Sequence, residues 1–278
     1  TTLFMTLLAH YTLLLHRLTG QDDLVVGFPV TGRSEDEMAG LVGYCTHMAP
    51  LRSRLIGNPT GADYLKQIRE QLLDAYEHQE YPFAWLLEDL KAARSEQGGA
   101  GQPWPPPLIN VGFNLEVLPA LPHLPQLQVT RLTLPASYAK FAMNLNVTEL
   151  APGATNRDAG AELALDFDYQ HDRLTDATID RWYDHFVTLL TNSMADPTQP
   201  VRDLPLLSPA ARQQIVSTWN QTAQPYPHDQ SLAALFAQQV ARTPQQIAVV
   251  CEGATYTYQE LEQRANQLAH YLRSLDGG

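Results

Sequence analysis

An α/β fold is what the sequence predicts, and three observations predict it. Apolar residues recur at helical spacing in 3–18 and 176–194. Residues 163–169 alternate with period two, and 23–27 and 108–118 read as further strands. The chain has 278 residues, 44% hydrophobic and 17% charged, which is enough to bury a sizeable core.

In 3–18, Leu7, Leu8, Tyr11, Leu14, Leu15 and Leu18 put one side toward a core. His10, His16 and Arg17 interrupt the stretch, so it is too short and too polar to span a bilayer. The strand 23–27 enters a loop with Pro29, Gly32 and Arg33, and another apolar segment surrounds 41–55. A long helical region covers 63–92. It breaks near Tyr81-Pro82, because proline lacks the amide donor and restricts the residue before it. Residues 97–107 are Gly-rich and then polyproline, with Trp104 among the prolines, and read as a surface loop. Strands follow at 108–118, 124–134, 140–150 and 163–169. In the last, Leu163, Leu165, Phe167 and Tyr169 share a face opposite Ala164, Asp166 and Asp168.

The helix 176–194 aligns Ile179, Trp182, Tyr183, Phe186, Leu189 and Leu190. Residues 196–209 carry four prolines and read as the start of a linker. Ser208 is placed to cap a helix beginning at Pro209. Beyond a second Pro-containing stretch, 220–229, come a helix at 231–241 and a strand at 247–251. A two-residue turn, Glu252-Gly253, leads to a return strand at 255–258 and a helix at 259–275. The organisation expected is an α/β body at 1–195, a linker at 196–230 and the opening elements of a second domain at 231–278. Both ends read as cuts through a longer protein.

Composition excludes several functions. Thirty acidic against 18 basic side chains leave a net charge of −12, which argues against non-specific nucleic-acid or anionic-membrane binding. Cys45 and Cys251 lie far apart, which argues against a disulfide framework and fits a reducing, cytoplasmic location. Gly27-Phe28-Pro29-Val30-Thr31-Gly32 has phosphate-loop spacing. However, Arg33 replaces the lysine, and Glu35, Asp36 and Glu37 put carboxylates where phosphate would sit, so it reads as a structural turn. None of the nine histidines forms a zinc-protease pair, and nothing beside Cys45 and His47 completes a metal set. No G-x-S-x-G elbow is present. Asp166 and Asp168 have the form of an acid–base pair, but they read as the solvent-facing side of a strand whose other side is buried. The residues alone show no complete catalytic constellation.

Several segments, in order, resemble the condensation domain of modular non-ribosomal peptide synthetases. Residues 2–27 resemble the opening of that domain's C-terminal lobe, and Gly27–Arg33 resembles its next loop. Val42-Gly43-Tyr44-Cys45-Thr46-His47 through Arg52 resembles the motif [IV]-G-x-F-V-N-T-x-x-x-R, with Cys45, Thr46 and His47 in place of Phe, Val and Asn. His78-Gln79-Glu80-Tyr81-Pro82-Phe83 resembles H-Q-D-Y-P-F. Residues 110–115 resemble the strand closing the family's seventh motif, although R-D-x-S-R-N-P-L is not recognisable. Ala139–Met143 resembles A-K-F-D-L without its acid. Residues 208–220 are similar to the linker toward an adenylation domain, and Thr255–Leu261 to that domain's first motif.

The resemblance implies a chloramphenicol-acetyltransferase-like lobe with a mixed sheet flanked by helices, then a linker and a truncated adenylation-domain start. It implies amide bond formation between an acyl or peptidyl donor and an aminoacyl acceptor, both carried on phosphopantetheine arms of carrier proteins. No cofactor is expected to bind directly. The tunnel-lining residues it points to are Arg33, Gly43, His47, Tyr81 and Phe83. The catalytic H-H-x-x-x-D-G is absent from these residues and is expected on an N-terminal lobe preceding Thr1, so the fragment is expected to be inactive alone. Implied partners are that lobe, carrier proteins and the rest of the adenylation domain. The alternatives are an epimerisation-type lobe, a stand-alone acyltransferase and a non-catalytic carrier-binding module.

Overall fold

A computed structural model of the chain describes residues 1–33, 36–94, 108–119, 122, 124–127, 129–130, 132, 138–150 and 163–275. They form two compact units, Thr1–Val216 and Ser217–Gly278.

The first unit is built on a five-stranded mixed sheet. Its strands are β1 (Asp23–Val30), β2 (His47–Arg54), β3 (Val111–Leu118), β4 (Met143–Leu150) and β5 (Leu163–Tyr169), in the order β2-β1-β3-β4-β5. The outer pairs β1–β2 and β4–β5 are antiparallel, and the inner pairs β1–β3 and β3–β4 are parallel. β3 and β4 pair along their full length, from Val111–Met143 to Leu118–Leu150. β1 meets β3 through one registered pair, Gly27 opposite Gly112.

Helices α1 (Leu3–Thr19), α2 (Gly61–Glu77) and α4 (Asp176–Ala195) share the core with the inward side of the sheet. That side presents Val26, Phe28 and Val30 from β1, Ala49 and Leu51 from β2, Phe113 from β3, and Met143, Leu145 and Val147 from β4. Phe4 meets Phe113 edge-on at 5.2 Å, and Phe28 meets Tyr76 at 5.6 Å. Short polar side chains set the helix starts. Thr2 Oγ1 accepts from Met5 N at 3.2 Å, and Thr60 Oγ1 accepts from Asp63 N at 3.1 Å while donating to the Asp63 carboxylate at 2.7 Å. Gly20, with φ +71°, stops α1 in the left-handed conformation that glycine adopts without strain.

Three findings go beyond or against the periodicity. α1 buries ten consecutive residues, Leu7–His16, instead of one stripe, because the sheet, α2 and α4 enclose it. β1 runs on through Pro29 to Val30, so the G-x4-G segment is mostly strand. The described residues of 124–134 are turn and coil, closed by Leu127 N to Leu124 O at 3.2 Å. Residues 97–107, with Trp104, lie outside the described residues.

The Pro-rich segment after α4 is packed, not loose: Val201 and Leu204 are core residues. Arg17 on α1 donates to the carbonyls of both, each at 2.9 Å. Arg202 ties the same segment to Gly57 O at 2.9 Å and the Asp22 carboxylate at 2.6 Å. Ser208 then caps α5 (Pro209–Gln213) through Ala211 N at 3.2 Å.

The second unit contains α6 (Leu232–Arg242), the antiparallel pair β6 (Ile247–Cys251) and β7 (Ala254–Thr257), and α7 (Tyr258–Leu275). Glu252 and Gly253 both have positive φ, +48° and +82°, as the primed hairpin turn requires. Thr257 Oγ1 accepts from Glu260 N at 3.2 Å, while the Glu260 carboxylate accepts from Thr257 N at 2.9 Å. This capping box opens α7 and holds the Glu260 carboxyl below the usual range. Among the described residues no helix is long and apolar enough to cross a membrane.

Candidate functional site

A cavity of about 470 Å³ opens at the β2 edge of the sheet, beside the end of α2 and the start of α3 (Phe83–Arg94). Its walls include Met48, Pro50, Ala75, Phe83 and Leu86, with His47 and Tyr81 at the same opening. The chain brings these together in two steps. The antiparallel β1–β2 pairing places His47 opposite Val30. α2 then carries the chain back, so that 78–83 returns to the same edge. Pro82 cannot continue a helix from α2, and a new one begins at Phe83.

His47 joins the two segments. Its Nε2 lies 2.7 Å from the Gln79 carbonyl. A carbonyl only accepts, so Nε2 carries the proton and donates. Gly32 makes the turn beside it possible: φ is +61°, and a Cβ there would lie 2.1 Å from the Cys45 carbonyl oxygen and 3.2 Å from His47 Nδ1. Tyr81 donates its hydroxyl to the Asp89 carboxylate, and that carboxylate raises the phenol's pKa. Trp85 stands edge-on to Tyr81 at 6.3 Å.

The structure brings together three of the five residues singled out in the sequence: His47, Tyr81 and Phe83. Arg33 and Gly43 lie in the neighbouring loop instead of the cavity wall. Arg33 Nη2 donates to the carbonyls of Leu41 at 3.1 Å and Gly43 at 3.3 Å. Sequence reasoning missed Met48, Pro50, Ala75 and Leu86. Leu86 follows Phe83 by one helical turn, a detectable signal once α3 is placed. Ala75 carries no such signal.

A second polar feature lies on the sheet side opposite the core. Asn144 Nδ2 donates to Asn146 Oδ1 at 2.7 Å, and Asn146 Nδ2 donates to Asp168 Oδ2 at 2.6 Å. Asp168 is therefore a hydrogen-bonded acceptor, while its neighbour Asp166 is exposed. Among the described residues no group of three or more His, Cys, Asp or Glu is placed to hold a metal ion.

Comparison with known proteins matches this architecture. The family model described as Condensation domain matches residues 1–216, and that of AMP-binding enzyme matches 236–278. The chain is 34% identical over 278 residues to surfactin synthase subunit 1 of Bacillus subtilis (strain 168), covering all of this chain and 7% of that protein. It is 34% identical over 274 residues to gramicidin S synthase 2 of Aneurinibacillus migulanus, covering 98% of this chain and 6% of that one. The chain thus spans less than a tenth of these relatives. A crystal structure of a four-domain nonribosomal peptide synthetase shares the fold with TM-score 0.73 at 18% identity, over 98% of this chain and 20% of that chain. The condensation domain of a monacolin K polyketide synthase does so with TM-score 0.55 at 21% identity, over 71% of this chain and 42% of that chain. From Thr1 to Val216 the chain belongs to the condensation-domain family of non-ribosomal peptide synthetases, and the start of an AMP-binding region follows it.

Proposed function

We propose that residues 1–195 act as the C-terminal lobe of a condensation domain that forms an amide bond. The donor is an acyl or peptidyl thioester and the acceptor an aminoacyl amine, each tethered to a carrier protein through a phosphopantetheine arm. The amine nitrogen bonds to the thioester carbon, the C–S bond breaks, and the thiol leaves with a proton. An N-terminal lobe bearing H-H-x-x-x-D-G supplies the histidine that orients or deprotonates the amine. This chain supplies position: holding two tethered reactants in one tunnel makes a bimolecular step effectively unimolecular. In this reading 196–230 connects the lobe to an adenylation domain opened by 231–278, and the whole works in the cytoplasm.

The observation that carries the reading is convergence. Two segments that resemble separate family motifs, 42–52 and 78–83, meet at one apolar cavity, joined by the His47–Gln79 bond. His47, Tyr81 and Phe83 form the acceptor-side wall, and Arg33 and Gly43 form the loop beside it. The test is Phe83→Ala and His47→Ala in the complete module, with donor and acceptor loaded on their carriers. Each is expected to slow amide formation at least about tenfold, or ~1.4 kcal/mol in the barrier, while carrier loading is unchanged. Unchanged condensation in both variants refutes the assignment. The 278-residue chain alone is expected to yield no product from the same substrates.

A further inference from the structure

The side chains of β2 that face away from the core change character along the strand. Met48 and Pro50 come first. Arg52 and Arg54 follow, exposed and paired with Asp23 at 2.7 and 3.2 Å. The apolar half of that row is the half that lines the cavity at the β2 edge. Ala75 from α2, with Phe83 and Leu86 from α3, continues the carbon surface around it. Phe83 and Leu86 stand one helical turn apart and share a side of α3.

Polar side chains at the opening are committed to the protein itself. His47 Nε2 donates to the Gln79 carbonyl at 2.7 Å, and His78 Nδ1 donates to the Asp74 carbonyl at 2.8 Å. Tyr81 donates to the Asp89 carboxylate. Glu80 borders the same opening and is exposed. A charged or amide group entering among Met48, Pro50, Ala75, Phe83 and Leu86 would leave water without gaining a fixed partner, whereas a hydrocarbon group gains by the same move. Size adds a second condition. At about 470 Å³ the cavity lies within the ~300–1,000 Å³ range of small-molecule sites. One methyl group would leave most of it empty, and walls facing empty space forfeit their contacts.

We propose that this cavity selects the acceptor by its side chain, taking a bulky apolar group of leucine or phenylalanine type. The proposal rests on the acceptor-side wall assigned above. Ala75 and Leu86 are the size-setting positions. Ala75 is the smallest side chain that α2 and α3 contribute to the wall, so enlarging it takes space from the occupant. Leu86 is a removable part of the opposite helix's contribution.

The experiment uses the complete module with one fixed donor. Its acceptor carrier is loaded directly with leucyl-, phenylalanyl-, alanyl-, aspartyl- or lysyl-phosphopantetheine, which bypasses adenylation. Single-turnover amide formation is expected to be at least about tenfold faster with leucine and phenylalanine than with alanine, aspartate or lysine. Equal rates for all five, or a preference for lysine through Glu80, overturns the proposal. Ala75→Leu is expected to slow phenylalanine at least about tenfold relative to alanine. Leu86→Ala is the second reading, needed if Ala75→Leu fails to fold: the advantage of leucine over alanine is expected to fall at least about fivefold. Uniform slowing of every acceptor in a folded variant overturns the size-setting role. Exchanging an apolar donor for a charged one is expected to leave these ratios unchanged, and ratios that follow the donor overturn the assignment to the acceptor. The two levels fail differently. If Phe83→Ala and His47→Ala leave condensation unchanged, the wall itself is misassigned and this proposal falls with it. If they slow condensation while the five acceptors react alike, the wall stands and side-chain selection alone is overturned.

Discussion

Helices α1 and α7 are near equals in length, 17 and 18 residues, and both carry apolar residues at helical spacing. Their surroundings are opposite. α1 is enclosed by the sheet, α2 and α4, and ten of its residues are buried. α7 packs on α6, β6 and β7, and none of its residues is buried; Leu268, Tyr271, Leu272 and Leu275 are each more than half exposed. Spacing announces that a face exists. How much of the helix is covered depends on elements far away in sequence, here Phe113 on β3 and Phe186 on α4.

The contrast is broken most directly from the α1 side. Leu14 is fully buried, and Leu14→Ala is expected to destabilise the first unit by about 2–5 kcal/mol, read by denaturant unfolding. A loss below ~1 kcal/mol would mean that α1 is not the centre of the core. Next comes Gly32→Ala, where positive φ and the Cys45 carbonyl leave no room for a Cβ: about 1–3 kcal/mol by the same measurement. Asp23→Asn ranks below both. Hydrogen bonds from Arg52, then Arg54, depress the Asp23 carboxyl, but the group is largely exposed, so the cost is about 0.2–1 kcal/mol. Because its folded pKa is depressed, this stabilisation is present above the unfolded carboxylate value and lost as pH falls through the folded one. Wild type and Asp23→Asn should therefore converge in acid and separate near neutral pH. Last is Leu272→Ser on α7, expected to change stability by no more than about 0.5 kcal/mol. A cost like that of Leu14→Ala would erase the distinction between the two helices.

What the sequence made legible was local. The α1 helix itself, the alternation of β5, the break before Phe83, the Ser208 cap and the Glu252-Gly253 turn follow from spacing and backbone chemistry within a few residues. What escaped was set at a distance. Four prolines in 196–209 read as a linker, yet Val201 and Leu204 fill the core under Arg17, more than 180 positions away. In the site, His47 and Tyr81 were visible through the motifs that contain them. The bond that joins His47 to the segment carrying Tyr81 was not, because it uses the Gln79 backbone, which has no residue-type signature. The Asn144–Asn146–Asp168 chain was hidden similarly: alternation marked the polar side of β4 but not which amide faces which carboxylate.

The meeting of Gly27 with Gly112 has a mechanical consequence. Two antiparallel ribbons, β2-β1 on one flank and β4-β5 on the other, communicate across a narrow seam beside β3. At Gly27 a Cβ would lie 2.4 Å from the Ile109 side chain, and at Gly112 it would lie 2.1 Å from Asn144 Oδ1. A single methyl group inserted there works like a wedge at the fulcrum of a lever. At Gly27 it presses on Ile109 and at Gly112 on Asn144, the amide that leads through Asn146 to Asp168.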